Sequence, residues 1–293
     1  MVAIKEVRNH IKSVQETLKI TNAMYLIASS GLRKAKKQLD DATPYFGKIS
    51  STIADILYHS PKVKHSYFDQ RLEIEHKDRK VGYIVITGDK GLAGAYNHNV
   101  LKLAEQELSR VANPTLFLIG QAGQIWFAHR NIDVDGEFMY TAQNPTVTRA
   151  KEIGDVFLDL FQQRYLDEVW IIYTKMVNHL VMEPQSIKLL PLERDRFPLD
   201  KIPAGRYIET VKYVPSEQAV MDNLVPAYLK GMIFGALVES FCSEQNSRMA
   251  AMDAASKNAK KMLKNLNLTY NRIRQAAITQ EVTEVIGGAQ AEI

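Results

Sequence analysis

Apolar residues recur at alternating steps of three and four along the first 56 residues of the chain. A repeat that averages about 3.5 residues places these side chains in one narrow stripe along a helix, as in the seam of a coiled coil. We therefore predict a long N-terminal helix that ends near residue 57, with a kink or a short break near Thr43 because Pro44 follows it. The seam consists of Ile4, Val7, Ile11, Val14, Leu18, Thr21, Tyr25, Ala28, Leu32, Ala35, Leu39, Ala42, Phe46, Ile49, Ile53 and Ile56, with Thr21 as its one interruption.

The middle of the chain has a different pattern, in which short apolar runs alternate with helical segments. Strands that are apolar on both faces and alternate with helices are typical of an α/β layer with a parallel sheet. A further strand at Met182–Leu190 is predicted to lie antiparallel at the sheet edge, and a short extended piece is predicted at Tyr207–Val214. The other predicted elements are strands at 81–87, 115–119 and 168–175 and helices at 97–110, 124–129 and 146–165.

The helical period returns at Ser216 and continues nearly to the end of the chain. We expect Pro226 to interrupt its first turns and Gly287–Gly288 to end it. Two terminal helices that flank one insert run antiparallel, and placing Ile56 near Ser216 makes the numbers of paired residues sum to about 272. The second seam reads Phe234, Val238, Phe241, Gln245, Arg248, Met252, Ala255, Ala259, Met262, Leu266, Thr269, Ile273, Ala276, Gln280 and Thr283.

Two polar residues, Gln245 and Arg248, interrupt the second seam. An arginine buried between two helices is costly unless it is paired, so we interpret Arg248 as a contact with a third body. We expect Thr21 to pair near this stretch. The following residues, 249–256, are nearly all small and would form a thin shaft. At the predicted register about the last twenty residues extend beyond the start of the first helix, and other chains would need to cover their apolar side chains.

These patterns divide the chain into an N-terminal coiled-coil helix at 1–57, a linker at 58–79, an α/β domain at 80–214 and a C-terminal coiled-coil helix at 215–293. The net charge of +4 is too small to indicate nucleic acid by itself. The single cysteine, Cys242, excludes an internal disulfide framework, and its apolar neighbours predict a buried, inert thiol. No apolar run approaches the roughly 20 residues of a membrane span, so no direct membrane insertion is predicted.

A glycine-rich segment follows the first predicted strand, with glycines at 88, 91 and 94. Its spacing matches neither the phosphate-binding loop of nucleotide hydrolases nor the dinucleotide-binding fingerprint, so we interpret it as a tight turn between a strand and a helix. The histidines show no metal-ligand spacing, and no serine lies in a nucleophile elbow. The sequence therefore predicts no catalytic residue, no cofactor and no metal.

Basic residues cluster in one part of the first predicted helix. A solvated flank of a coiled coil accounts for such a cluster, and a collar that meets an acidic partner accounts for it equally well. No aromatic residues alternate with these charges, which disfavours a nucleic-acid partner. This basic collar consists of Arg33, Lys34, Lys36 and Lys37.

Four segments closely resemble the γ subunits of F-type ATP synthases, and the resemblance extends over essentially the whole chain. The segments are Ile20–Met24, Gly88–Gly94, Ser243–Met249 and Tyr270–Glu281, of which the two C-terminal ones are the most specific. The resemblance implies a long antiparallel coiled coil of the N- and C-terminal helices with an inserted Rossmann-like α/β domain. It also implies a central rotor shaft that couples ion-driven rotation of the c-subunit ring to conformational cycling of the catalytic β subunits, without an active site of its own.

The resemblance further implies the partners of such a shaft. The α and β subunits form a hexamer around the coiled coil, and the ε subunit and the c-subunit ring bind the insert. The basic collar would face an acidic segment of β, and the complex would lie at the cytoplasmic face of a bacterial plasma membrane. The residues implied to contact the hexamer are Met24, Arg248, Gln275, Thr279 and Glu281.

Two other interpretations stay open at this point. One is a nucleotide-binding α/β enzyme whose terminal helices make it a homodimer, and the other is a coiled-coil scaffold unrelated to energy conversion. The scaffold does not account for the specific C-terminal segments. The enzyme and the rotor differ in native mass, because only the rotor belongs to a large assembly with ATPase subunits.

Overall fold

The computed structural model describes residues 2–60, 63, 65–130, 132–198 and 213–291. The predicted extended piece at Tyr207–Val214 lies almost entirely outside them. The helices are α1 (Val2–His59), α2 (Tyr96–Leu108), α3 (Gln121–Phe127), α4 (Val147–Gln162) and α5 (Glu217–Ala291). The strands are β1 (Lys80–Ile86), β2 (Asn113–Ile119), β3 (Asp133–Val134), β4 (Glu168–Met176) and β5 (Met182–Leu190).

The chain divides into two compact units. The terminal unit consists of the chain up to Ser29 and from Arg248 onward, and the central unit consists of Ser30–Ser247. Both α1 and α5 contribute to each unit. The described part of the terminal unit is therefore entirely helical, whereas the central unit contains the whole sheet.

In the terminal unit the two helices pack along the predicted seams. On α1 every predicted seam position of this unit is buried or half-buried except Tyr25, which is 37% exposed. On α5 the predicted seam is right as far as Ala259 and again at Leu266 and Ile273, whereas its other positions beyond Ala259 are exposed. From Ala259 to Ala277 the inward-facing residues still alternate in steps of four and three, but the order of the two steps is the reverse of the predicted one. Leu263, Tyr270 and Ala277 are half-buried in place of the predicted Met262, Thr269 and Ala276.

The antiparallel pairing of the terminal helices is confirmed, but its register differs from the predicted one. In the terminal unit Thr21 pairs with Ser256, and in the central unit Ser60 pairs with Glu217. The two numbers of each pair sum to 277, whereas the predicted sum was 272. The difference arises because α1 continues to His59, so that Ser60 meets the start of α5 in place of Ile56.

The prolines and the C-terminal glycine pair do not break the helices. α1 is continuous through Pro44, and α5 is continuous through Pro226. α5 also passes through Gly287–Gly288, because neither glycine has the positive φ that ends a helix. The short break predicted near Thr43, the interruption predicted at Pro226 and the end predicted at Gly287 are therefore wrong, and the alternative of a kink near Thr43 stays a prediction. In a long helix that packs along one face, tertiary contacts outweigh a single missing hydrogen bond or a weak helix former.

The sheet of the central unit has the strand order β3-β2-β1-β4-β5. β1 pairs in parallel with β2 and β4, and β5 runs antiparallel to β4, as predicted. The two-residue strand β3 was not predicted, since two residues carry no periodic signal. One core cluster joins the sheet to α2 and α3, and its buried members are Val81, Tyr83, Val85, Val100, Leu101, Ala104, Leu108, Leu116, Leu118, Phe127 and Ile172.

A buried ion pair fixes the segment that leads into β1. Arg79 Nη1 lies 2.5 Å from Glu168 Oε1, and Lys188 Nζ lies 3.4 Å from the same oxygen. Burial alone would raise the pKa of the Glu168 carboxyl, but hydrogen bonds from Trp170 and Arg79 and the charge of Lys188 outweigh it and lower the pKa. Glu168 is therefore a charged group held between two cations, which joins this segment to the sheet.

Among the described residues, one helix is long and apolar enough to cross a membrane by length and composition alone. It is α5, and half of its most apolar window is buried inside the protein. A core helix that packs on several faces has the same composition.

Candidate functional site

The last described turns of α5 carry apolar side chains that are open to solvent. Every residue from Ile278 to Ile286 is exposed, and Val285 is 72% exposed. At the observed register the start of α1 at Val2 lies level with Gln275, so α1 offers no partner to these turns. Contiguous exposed apolar surface of this kind marks a site of interaction. Its large members are Ile278, Val282, Val285 and Ile286.

The three residues implied as hexamer contacts in this part of α5 are all exposed. Gln275, Thr279 and Glu281 lie within two turns of one another. The Thr279 hydroxyl donates to the backbone carbonyl of Gln275 at 2.9 Å and therefore already has a partner within its own helix. The structure brings the three residues together on a solvent-exposed stretch.

The other two implied hexamer contacts differ from each other in exposure. Met24 is half-buried on α1, and the neighbouring Ile20 and Ile27 are 59% and 71% exposed. The three residues follow a spacing of four and three, so they share one face of the helix. Arg248 is only 8% exposed, and its own chain covers most of its surface. Met24 thus belongs to an open apolar face, whereas a partner would reach only a small part of Arg248.

Thr21 lies buried in the seam of the terminal unit, and α5 provides its partner. Thr21 Oγ1 lies 2.8 Å from Ser256 Oγ, which in turn donates to Asn22 Oδ1 at 3.1 Å. The prediction that Thr21 pairs near Gln245 and Arg248 is wrong, because the observed register places Ser256 opposite it. A polar pair at a seam position favours one register of a coiled coil over the alternatives.

The basic collar lies in the central unit and is exposed on α1. All four of its cationic side chains face solvent, while the interleaved Leu32 and Ala35 are buried against the rest of the unit. Positive charges on one open face raise the local concentration of an acidic partner and speed its association. The collar residues Arg33, Lys34, Lys36 and Lys37 are thus accessible as predicted.

Cys242 is buried and unreactive, as predicted. It is 2% exposed, and burial raises the pKa of its thiol to about 11. The carboxylate of Glu239 raises this pKa further, while the charge of Lys36 opposes the rise. A thiol with such a pKa is almost entirely protonated at neutral pH and is a poor nucleophile.

Most polar residues between Ser240 and Ser247 pack against the α/β insert of the central unit. Ser240 and Ser243 are fully buried, and Asn246 is 7% exposed. Gln245 packs beside Gly31 of α1, where an added Cβ would lie 3.7 Å from Gln245 Cγ. The packing of this face against the insert was not predicted, although serines and a glutamate at positions 240, 243, 244 and 247 have the helical spacing of a second packed face.

The glycine-rich segment is a tight turn between β1 and α2, as predicted. The backbone N–H of Gly88 donates to Asn97 Oδ1 at 2.8 Å. The Asp89 carboxylate accepts from the backbone N–H groups of Gln121 and Ala142, each at 3.1 Å. These hydrogen bonds tie the turn to α2, to α3 and to the loop before α4.

A cavity of about 520 Å³ lies beside α3 and β3. One of its acidic side chains serves the surrounding loop, since Asp135 Oδ1 accepts from the backbone N–H groups of Glu137 and Phe138. In the part of the chain that the structure describes, no group of three or more His, Cys, Asp or Glu residues could hold a metal ion.

Comparison with known families and sequences gives consistent matches over the full length. The family model described as ATP synthase matches residues 3–291. The chain is 49% identical to the ATP synthase gamma chain of Acetivibrio thermocellus, with 99% of each chain covered. It is 36% identical to the sodium ion specific ATP synthase gamma chain of Acetobacterium woodii, with 98% of each chain covered.

Solved structures share the fold at lower identity. A chain of the rotor of the Euglena gracilis mitochondrial ATP synthase matches with a TM-score of 0.62 and 14% identity, covering 94% of this chain and 99% of that one. A chain from the central stalk and c-ring of the Tetrahymena thermophila mitochondrial enzyme matches with a TM-score of 0.57 and 23% identity, covering 81% of this chain and 99% of that one. Two long terminal helices with an inserted α/β sheet are therefore an architecture that known proteins share.

Proposed function

The chain belongs to the family of ATP synthase γ chains, and on this premise we propose that it is the central rotor shaft of an F-type ATP synthase. It couples the ion-driven rotation of a ring of c subunits to the conformational cycling of catalytic β subunits, in ATP synthesis or hydrolysis. The subunit itself is non-catalytic, and its task is mechanical.

The observation that carries this proposal is the exposed apolar end of α5. Burying a large aliphatic side chain contributes roughly 1.5–3 kcal/mol, and four of them are exposed between Ile278 and Ile286. A surrounding apolar sleeve formed by the α and β subunits would cover them on all sides. Gln275, Thr279 and Glu281 would supply polar contacts to the same sleeve.

A second set of contacts would lie nearer the opening of the hexamer. The apolar face of Ile20, Met24 and Ile27 would pack against β, with Arg248 making a polar contact there. The exposed basic collar would meet an acidic segment of β, since opposite charge favours the encounter. The insert would bind the ε subunit and the ring of c subunits. The whole complex would lie at the cytoplasmic face of the bacterial plasma membrane.

The mechanical action follows from the asymmetry of the shaft. An antiparallel pair of two different helices has no threefold symmetry, so three β subunits around it meet three different surfaces at any moment. A conformational equilibrium shifts only where a partner contacts one state better than another. Rotation of the shaft therefore presents each β subunit in turn with the contacts that favour its open or its closed state.

Native mass spectrometry of material purified through a tag on this chain tests the proposal. The expected result is an assembly that contains several α and β subunits with one copy of this chain and hydrolyses ATP. The enzyme interpretation gives a different outcome, a homodimer of this chain that binds NAD or a nucleoside phosphate by itself. That outcome would overturn the rotor proposal.

A further inference from the structure

We propose that a polar clamp on α5 fixes the α/β insert to the coiled coil, so that the insert transmits torque without rotating relative to the helices. The clamp consists of Ser240, Ser243, Glu244, Asn246 and Ser247. This inference rests on the proposed rotor function, because the insert would meet the ring while the helices would meet the hexamer. It assigns to these residues a positioning role in mechanical coupling.

The clamp residues lie on one side of α5, and all but the half-buried Ser247 are buried. Ser240, Ser243, Glu244 and Ser247 follow the spacing of three, four and seven residues that aligns side chains on a helix, and Asn246 flanks them. Ser240, Ser243 and Glu244 are at most 3% exposed. Buried polar side chains are hydrogen-bonded in stable proteins, so such a face specifies its partner by direction as well as by area.

Two serines join α5 to the body of the insert. Ser240 Oγ lies 2.7 Å from the hydroxyl of Tyr96, in the first turn of α2. Ser243 Oγ donates to the backbone carbonyl of Thr174 at 3.0 Å, near the end of β4. Both bonds are buried, where a hydrogen bond is stronger than in water.

Two further residues join α5 to the β4–β5 hairpin. Asn246 Nδ2 donates to the backbone carbonyl of His179 at 2.8 Å, and Ser247 Oγ lies 3.0 Å from Met182 Sδ. The tip of the hairpin is itself well formed, because Asn178 Oδ1 accepts from two backbone N–H groups of the tip. The clamp therefore holds an ordered element.

Glu244 completes the clamp at the glycine-rich turn. A Cβ added at Gly88 would lie only 3.0 Å from Glu244 Cδ, so the carboxyl group occupies the space where a side chain would be. Glycine at this position thus lets the turn approach α5 closely. The insert meets α5 through a helix, a strand, a hairpin and a turn.

The position of the clamp along α5 gives it a mechanical role. The coiled coil and the insert are joined covalently near the paired residues Ser60 and Glu217. Ser240 lies 23 residues beyond Glu217 on the same helix, a distance of roughly 35 Å at about 1.5 Å per residue. Without the clamp the insert could pivot about its covalent connections. Because the clamp lies far from these connections, it strongly opposes rotation of the insert about them.

Hydrogen exchange on the isolated full-length chain tests the clamp directly. In Ser243→Ala/Asn246→Ala the amides of Leu180 and Val181 should exchange about fivefold faster for each bond lost, the factor that corresponds to about 1 kcal/mol per hydrogen bond. The amides of α4 should keep their rate, which shows that the insert stays folded. The matched control is Asn258→Ala, because Asn258 is exposed on the same helix.

Rotation of the assembled complex tests the mechanical role. A probe is attached through a cysteine introduced at exposed Lys151 of α4 or, for comparison, at exposed Lys48 of α1, since the native Cys242 is buried. With the hexamer fixed and stalled by a nucleotide analogue, the double variant should increase the angular variance of the probe at Lys151 and leave that at Lys48 unchanged. Asn258→Ala should change neither.

Two results distinguish a failure of the clamp proposal from a failure of the rotor proposal. If the wild-type complex rotates and the double variant leaves both the hairpin exchange and the variance at Lys151 unchanged, the clamp is overturned and the rotor stands. If the wild-type chain never enters a rotating complex, the rotor fails, while the hydrogen exchange still decides whether the clamp exists. If the amides of α4 also exchange faster in the double variant, the insert is no longer fully folded, and Asn246→Ala alone is used for both measurements.

Discussion

Two stretches of the same helix invert the usual relation between polarity and burial. Around Ser240–Ser247, α5 is rich in serine, glutamate, glutamine and asparagine, and most of these residues are buried in the central unit. Around Ile278–Ile286, in the terminal unit, it carries isoleucine and valine side chains that are exposed. The first stretch has α1 on one side and the insert on another, whereas the second lies past the register at which α1 begins.

The difference shows which contacts a helix makes within its own chain and which it leaves for others. Buried polar groups stay stable only when each finds a directed partner, so the first stretch is complete within the chain. Exposure of apolar groups to water is unfavourable, so the second stretch needs a covering partner from an assembly. Under the proposals above, the first stretch joins two parts of the subunit and the second joins the subunit to its partners.

Truncation after Ile273 should have the largest effect, because it removes the whole exposed apolar end. If the surrounding subunits bury even half of what the four aliphatic side chains offer, association loses about 3 kcal/mol, which is more than about a hundredfold in affinity. ATP synthesis by the assembled complex should fall accordingly. The insert should stay folded, and the fluorescence of its two tryptophans, Trp126 and Trp170, reports this.

Point variants sharpen that result. Val282→Asp places a charge on the surface that would be covered and should weaken assembly, whereas Val282→Ile keeps the surface apolar and should not. Full ATP synthesis by the truncated chain would contradict the role of this surface, and the inversion along α5 would then have no functional meaning.

The exposed end of α5 was predictable from sequence, and the clamp was not. Connectivity alone requires the two terminal helices to run antiparallel, and the longer of them must then extend past the shorter. The error of five in the sum of paired residue numbers does not change this conclusion, because the apolar end is long. The error mattered for Thr21, whose partner is Ser256, since a single pair depends on the register to the residue.

A buried pair in the clamp region should show the next largest effect. Tyr96 OH and Ser240 Oγ are 2.7 Å apart, and the two residues are 4% and 0% exposed. Tyr96→Phe or Ser240→Ala leaves one hydroxyl buried without this partner, which should lower the free energy of unfolding by roughly 1–3 kcal/mol. The double variant should lose clearly less free energy of unfolding than the two single variants lose together, as urea unfolding of the isolated chain would show. Equal costs that simply add would mean that the two hydroxyls act independently.

The polar partners of α5 could not be predicted from the sequence, for a physical reason. Serine and asparagine side chains have the same pattern whether they face water or a folded domain, and only the position of the insert decides between the two. The strands were easier to predict, because a continuous apolar run such as that of β1 is favourable only when both faces of the sheet are covered. Long-range register and docking, which depend on where separate elements meet, could be found only in the folded structure.

The smallest effect should come from Cys242, which tests burial in the first stretch without touching a hydrogen bond of the clamp. Burial raises the pKa of this thiol from 9.0 to about 11, so the folded state favours the protonated form. The stability linked to it is complete below pH 9 and is lost as the pH rises to 11, by roughly 1 kcal/mol at pH 10. Cys242→Ala should therefore lose less stability between pH 8 and pH 10 than the wild type does, although tyrosines and lysines titrate in both proteins. Identical pH dependence of urea unfolding in the two proteins would show that water reaches this side of α5.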